Sequence, residues 1–386
     1  PDMPYGLYFS IAGLGIFVAA ALWPPQRPRV LANITYILGM VINEIPHYGA
    51  LLLAIWLGIS IVSGDFGTPA DITVAVVLTA LVAAGLFALG WRARTSRTIV
   101  AAALRDAGIE PARSSNEHAT RRGWQITLFP FAVRPRSVVR ERNVSYGPHR
   151  KQQLDVYYRK DRPTGGPTLL YLHGGGYFLG SKHHEARGLL YRFADRGWVC
   201  VSANYRLRPQ AGFPDHMADA KRALAWLHEH AGDYGGDGRR VVMSGSSAGA
   251  HMSSISALSQ QDPRYQPGFE SADTSVSAVV GLYGYYGPYY GDDWNAALPS
   301  SPLVMDASSA PPFFLTHGTV DNNAPVENSR ELAAKLRAEA PTRPVYAELP
   351  GAQHGFDLVS SWRFEAILDG IQDFTDAVLP VSVNRR

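Results

Sequence analysis

The sequence predicts an α/β protein, a mostly parallel sheet flanked by helices, preceded by a helical block of membrane-spanning length. Three observations carry this. From about residue 136 onward, short apolar runs alternate with helical stretches. Those runs are apolar at successive rather than alternate positions, as strands covered on both faces must be. The first ninety or so residues are almost devoid of charge and rich in Leu, Ile, Ala and Val.

The helical block comes first in the chain. "YGLYFSIAGLGIFVAAALW" (5–23) and "DITVAVVLTALVAAGLFALGW" (71–91) are each about the length that crosses a bilayer. Between them, residues 30–63 are apolar except for Glu44 and His47, and too long for one crossing. A tight turn at "NEIPHYG", with Pro46 near its middle, divides this stretch into two helices. A cleaved leader would explain the first run but not the other three. The expected organisation is a transmembrane domain of about four helices over 1–95, a basic juxtamembrane connector over 96–135 and an α/β domain over 136–380.

Residues 92–151 hold thirteen Lys/Arg against four Asp/Glu. Beside a membrane, such charge suits anionic lipid headgroups better than nucleic acid, with a solvated surface as the plain alternative. Orientation is contested: Arg27 and Arg29 lie in the first loop, and Arg92, Arg94, Arg97 and Arg105 follow the last run. Four crossings would put these clusters on opposite sides, against the positive-inside rule. The larger cluster leads into the α/β domain and leans it towards the cytoplasm. The single cysteine, Cys200, lies in an apolar strand and reads as a buried thiol, so cysteine usage does not reveal the compartment.

In the catalytic region the expected strands are 168–175, 198–205, 240–246, 278–284, 312–318 and 345–351, with helices between them. Reactive groups in parallel sheets collect beyond the carboxyl ends of the strands. "GSSAG" (245–249) follows one strand and opens a helix. Its small residues would let Ser247 stand clear of the sheet edge, although the motif is weak by itself. A serine hydroxyl is a poor nucleophile and needs a histidine base oriented by a carboxylate. Asp321 in "HGTVDNNAP" and His354 in "GAQHGF" each follow a later strand, in the order Ser, Asp, His. "HGGGY" (173–177) exposes backbone amides without Cβ atoms in the way. Gly174 and Gly175, joined by Ala248, are the expected donors to an oxyanion. A phosphate-binding loop would want GxGxxG or a closing lysine, and neither occurs here.

Residues from about 150 to 375 resemble the HGGG-bearing esterase/lipase group of α/β-hydrolases, related to hormone-sensitive lipase. "HGGGYFLGSK", "SANYRL", "FPDHMADAKRALAWLHEHAGDYGGD" and "GSSAGAHM" carry the likeness, as does the HGxxD pattern ending at Asp321. The resemblance implies an α/β-hydrolase fold, Ser247 as nucleophile, Asp321 as acid, His354 as base, an oxyanion hole of Gly174, Gly175 and Ala248, and no cofactor. Two departures bear on substrate analogy: Ser246 stands where many relatives have an acidic residue, and Arg208-Pro209-Gln210 where they have Ala-Pro-Glu.

Aromatic residues past a strand end suggest a pocket wall of Tyr177, Tyr283, Tyr285 and Tyr286, with Tyr289, Tyr290 and Trp294 nearby. His183, His184 and Glu185 lack a third ligand at useful spacing, so no metal site is expected. Asp219 is expected to support a loop. The function expected is ester hydrolysis by a membrane-anchored carboxylesterase or lipase acting on an ester or lipid-like substrate. Acyl transfer to a sugar or lipid hydroxyl through the same triad is the alternative. Amide hydrolysis and a non-catalytic receptor on the same fold are further readings, and the sequence leaves homo-oligomerisation open.

Overall fold

The computed structural model describes residues 4–112, 123, 126–291 and 298–379. Eight strands form one sheet in the order β1-β2-β4-β3-β5-β6-β7-β8. They are β1 (Val138–Ser145), β2 (Gln153–Arg159), β3 (Gly166–Leu172), β4 (Val199–Ala203), β5 (Gly236–Ser246), β6 (Ala278–Leu282), β7 (Phe313–Gly318) and β8 (Val345–Leu349). Pairing is antiparallel for β1–β2 and β2–β4 and parallel from β4 through β8. The six expected strands are β3 to β8, the parallel part of the sheet. The antiparallel edge was not anticipated, because "VVRERNVS" in β1 is rich in polar residues and buries only Val138.

In the helical block, α1 (Tyr5–Leu22), α2 (Arg29–Glu44), α3 (Pro46–Ser63) and α4 (Pro69–Asp106) follow one another. The helix pair on either side of "NEIPHYG" is therefore found, with Pro46 as the first residue of α3. Among the described residues, only α1, α3 and α4 are long and apolar enough to cross a membrane. With 16 residues, α2 extends about 24 Å, short of the roughly 30 Å hydrocarbon core.

Contacts fix how these helices run. Tyr8 Oη donates to the Asp71 carbonyl at 3.1 Å, and Arg92 Nη1 to the Leu22 carbonyl at 3.3 Å, so α1 and α4 run in the same direction. Pro46 lies beside Gly90, so α3 runs opposite to them. The expected boundary at 95/96 falls inside α4, which continues without a break. Its last turns bury Val100, Ala103 and Leu104 in the same apolar cluster as Phe314 and Ile371.

Catalytic-domain helices are α5 (Arg187–Asp195), α6 (Phe213–His230), α7 (Ala248–Leu258), α8 (Val326–Glu339) and α9 (Trp362–Val378). Two apolar clusters, one on each sheet face, form the core. Cys200 is fully buried on β4.

Helix α2 lies along the catalytic domain for most of its length. Asn322 Nδ2 donates to the Ala32 carbonyl at 3.0 Å and Asn43 Nδ2 to the Gly351 carbonyl at 2.9 Å. At its end, buried Glu44 pairs with buried Arg363 and accepts from Ser361 Oγ at 2.7 Å.

Candidate active site

Strand β5 ends at Ser246 and α7 begins at Ala248, leaving Ser247 alone at the turn with φ 53° and ψ −116°. A side chain rarely adopts positive φ, and the strain persists because the surroundings over-determine it. The Ser247 amide donates to the Leu282 carbonyl at 3.0 Å, and its carbonyl accepts from His251 at 3.1 Å. Gly249 explains the run of small residues: a Cβ there would lie 1.9 Å from the Leu172 carbonyl oxygen. The first turn of α7 can approach β3 that closely only without a side chain.

Asp321 follows β7 and His354 follows β8, adjacent parallel strands whose carboxyl ends open on the same edge as β5. His354 Nδ1 meets Asp321 Oδ2 at 2.7 Å. The other carboxylate oxygen accepts from the amides of Asn323 and Ala324, each at 2.8 Å, and His317 Nε2 lies 3.2 Å from Oδ2. Burial alone would raise the Asp321 carboxyl, but the His354 charge and hydrogen bonds from His317 and His354 hold it well below the usual range. For His354, burial opposes the charged form, yet the Asp321 carboxylate outweighs it and raises the imidazole above its ordinary value. The Tyr283 ring stands 4.5 Å from that imidazole, directly after the Leu282 carbonyl that holds Ser247.

The glycine loop reaches the same place. A Cβ on Gly174 would be 3.1 Å from the Ser247 Cβ. The expected role of Gly174 as a donor is corrected here, because its amide already donates to Glu185 Oε2 at 2.6 Å. Gly175 and Gly176 then turn through positive φ, 102° and 57°. Among the described residues no acceptor is found for their amides or for that of Ala248. Gly175 is confined to glycine by space as well, since a Cβ would sit 2.2 Å from the Leu179 carbonyl oxygen. His173, stacked on Tyr205 at 4.4 Å, is lowered to about 4 by burial and stays neutral beneath the loop.

A buried carboxyl pair lies under the site and was not anticipated. Asp357 accepts from Ser246 Oγ at 3.0 Å, from the Ala186 amide at 3.2 Å and from Tyr283 Oη. Tyr171 Oη bonds Ser246 Oγ at 2.7 Å and reaches Glu185 at 3.1 Å. Burial, then the Asp357 charge, pushes Glu185 up to about 7, and burial raises Asp357 too. Ser246, where an acidic residue was expected from the resemblance, thus hydrogen-bonds an acid supplied from further along the chain.

The expected aromatic wall divides. Tyr283 is at the site, but its hydroxyl is bound to Asp357. Tyr286 is a correction: it is fully buried, with its hydroxyl against Gly281 and Gly284, because the chain folds it back beneath β6. Tyr177 is buried as well, stacked on His216 at 4.8 Å and bonded to His251, and so belongs to the core under the glycine loop. Half-buried Tyr285 donates to the Pro288 carbonyl at 2.8 Å. Trp294 lies outside the described residues. Asp219 accepts from the Arg206 amide at 2.8 Å and holds the loop after β4.

Comparison with known proteins decides the family. The chain is 35% identical over 328 residues to Esterase LipQ of Mycobacterium tuberculosis, covering 76% of this chain and 77% of that protein. It is 34% identical over 372 residues to the probable carboxylic ester hydrolase LipM of the same organism, covering 88% of this chain and 85% of LipM.

The chain belongs to this family of esterases.

The BD-FAE family model matches residues 154–290 of this esterase. Its fold is similar to that of the apo form of Thermogutta terrifontis esterase 2, with a TM-score of 0.55, 24% identity, and coverage of 63% of this chain and 96% of that one. An α/β-hydrolase fold and ester hydrolysis are therefore established. The relatives named here are ester hydrolases, and acyl transfer gains no support from them. The LipM match covers too much of the chain to be confined to the catalytic region.

Proposed function

We propose that this esterase is a membrane-embedded serine carboxylesterase with Ser247 as nucleophile, His354 as general base and acid, and Asp321 as the group that orients His354. The observation that carries the reading is the 2.7 Å contact of His354 Nδ1 with Asp321, which fixes the tautomer that leaves Nε2 free to take a proton. Ser247 Oγ attacks the ester carbonyl while His354 takes its proton. The tetrahedral oxygen is held by the amides of Gly175, Gly176 and Ala248, with Gly174 replaced by Gly176 for the reason given above. His354 then returns the proton to the leaving alcohol. Water, deprotonated by His354, attacks the acyl-serine, releases the acid and restores Ser247. The substrate is an acyl ester, and no cofactor is called for by this sequence of steps.

Membrane anchoring through α1, α3 and α4 is supported by their apolar length. Arg27, Arg29, Arg92, Arg94 and Arg97 lie at the catalytic end of these helices, whereas the loop 64–68 at the other end carries Asp65 and no Lys or Arg. With three crossings both basic clusters fall on one side, and the positive-inside rule assigns the catalytic domain to the cytoplasm.

Hydrolysis of p-nitrophenyl butyrate by the full chain in detergent tests the reading. Wild-type turnover that falls about 10⁴-fold in Asp321→Asn, with KM little changed, agrees with an orienting carboxylate. Unchanged turnover in that variant rules the triad out.

A further inference from the structure

The face of α2 that meets the catalytic domain carries Ala32, Tyr36 and Asn43. Tyr36 is at the catalytic centre itself: its ring lies 6.5 Å from that of His354, and its hydroxyl sits 3.3 Å from where a Cβ on Gly355 would be. On the opposite face Val30, Ile34, Ile37 and Val41 repeat at helical spacing and are exposed by 71%, 47%, 68% and 48%. A helix touching the catalytic domain from Ala32 to Glu44 cannot also stand across a bilayer, since a crossing helix would meet that domain with one end only. Yet four exposed aliphatic side chains in a row do not suit water.

Neighbouring groups mark the level at which this stripe lies. Trp23 follows α1 and Trp91 sits where α4 leaves its apolar stretch; both are exposed, and Arg27, Arg29 and Arg92 lie beside them in the chain. Tryptophan and arginine at this height are the usual signature of a membrane–water boundary. Gly39 packs α2 across the C-terminal end of α1, against the backbone of Ala20 and Ala21. Below α2, on its aliphatic side, a groove of about 460 Å³ runs between α1 and α3, lined by Phe9, Phe17, Ile37, Val41, Leu52 and Trp56 among others. That is within the size range of small-ligand sites.

Resting on the reading of α1, α3 and α4 as spans, we propose that α2 lies in the plane of the membrane surface. Its Val30–Ile34–Ile37–Val41 stripe sinks among lipid chains and its Tyr36 face borders the catalytic centre, so the esterase draws its substrate from the leaflet. The substrate class that follows is a bilayer-resident long-chain acyl ester. Its chain lies along the groove between α1 and α3, and its ester group reaches the level of Tyr36 and Ser247. An in-plane amphipathic helix buries its apolar face about 5–10 Å into the headgroup–acyl boundary, which is the depth this arrangement needs.

Two measurements on the full chain in phosphatidylcholine vesicles with a minority of phosphatidylglycerol test the proposal. Cys200 is buried, so an environment-sensitive dye can be directed to Ile34→Cys or to Leu81→Cys, an exposed position in the middle of the apolar part of α4. Brominated lipids should quench the dye at position 34 from shallow bromines and that at position 81 from deep ones. A position-34 dye as deep as that at 81, or one that is unquenched while 81 is quenched, overturns the in-plane assignment. Quenching of neither overturns the membrane reading itself. In the second measurement a fluorogenic long-chain triacylglycerol is placed in the protein's own vesicles or in separate ones. Hydrolysis about tenfold or more faster in the shared bilayer is expected from the raised local concentration. Equal rates overturn leaflet delivery while leaving the esterase reading intact. Failure to cleave both this lipid and p-nitrophenyl butyrate counts against the esterase reading.

Discussion

Glu44→Leu should destabilise the protein far more than its place at the end of a short helix suggests. Glu44 and Arg363 are paired with side chains only 4% and 0% exposed, joining α2 to the first turn of α9. Glu44 also accepts from Ser361 Oγ at 2.7 Å, while that same oxygen caps α9 by accepting from the Phe364 amide at 3.1 Å. Removing the carboxylate leaves a guanidinium enclosed with no counter-charge, which costs about 3–5 kcal/mol, whereas an exposed pair would cost under about 1 kcal/mol. Arg363→Met alone should also destabilise by leaving the buried Glu44 carboxyl without its partner, and the matched double variant Glu44→Leu/Arg363→Met removes both charges and should recover most of the loss. Denaturant unfolding of the detergent-solubilised protein, followed by tryptophan fluorescence, measures all three variants. A single-variant loss below about 1 kcal/mol, or a double variant no better than the worse single, would refute the claim that this pair ties α2 into the catalytic domain.

Other predictions follow from the site. Because the His354 proton is held above the ordinary imidazole value, and only the neutral ring can act as base, kcat/KM should rise with pH through a midpoint above 6.5; a midpoint below that value contradicts the Asp321 pairing. Gly249→Ala should abolish turnover, since its Cβ would meet the Leu172 carbonyl oxygen at 1.9 Å; a variant with wild-type activity would show that the α7 start does not need this close approach. Burial pushes the Cys200 thiol well up, so maleimide should label it only after unfolding, as mass spectrometry of native and denatured protein can show.

What the sequence discloses depends on how local the signal is. The parallel strands and the turn around Ser247 were legible because apolar runs and small residues act on their immediate neighbours. The pairing of Asp321 with His354 was legible through chain order, a topological constraint of the fold. Gly174 reads as a free donor in the sequence because three consecutive glycines look alike until one amide is seen bound to Glu185. The Ser246–Asp357–Glu185 cluster depends on long-range packing, and Asp357 in "HGFD" carries no periodic signal. Counting apolar residues suggested four crossings where α2 lies along the catalytic domain. Its polar contacts are single residues, Tyr36, Asn43 and Glu44, spaced along one face of an otherwise apolar helix.

Fluorophosphonate labelling of the detergent-solubilised protein, wild type beside Ser247→Ala, asks whether residue 247 is an activated serine. Covalent labelling of the wild type and none of the folded variant is expected, with the adduct on the peptide carrying Ser247. A folded wild type that takes no label, or a Ser247→Ala variant that labels equally well, would contradict that assignment.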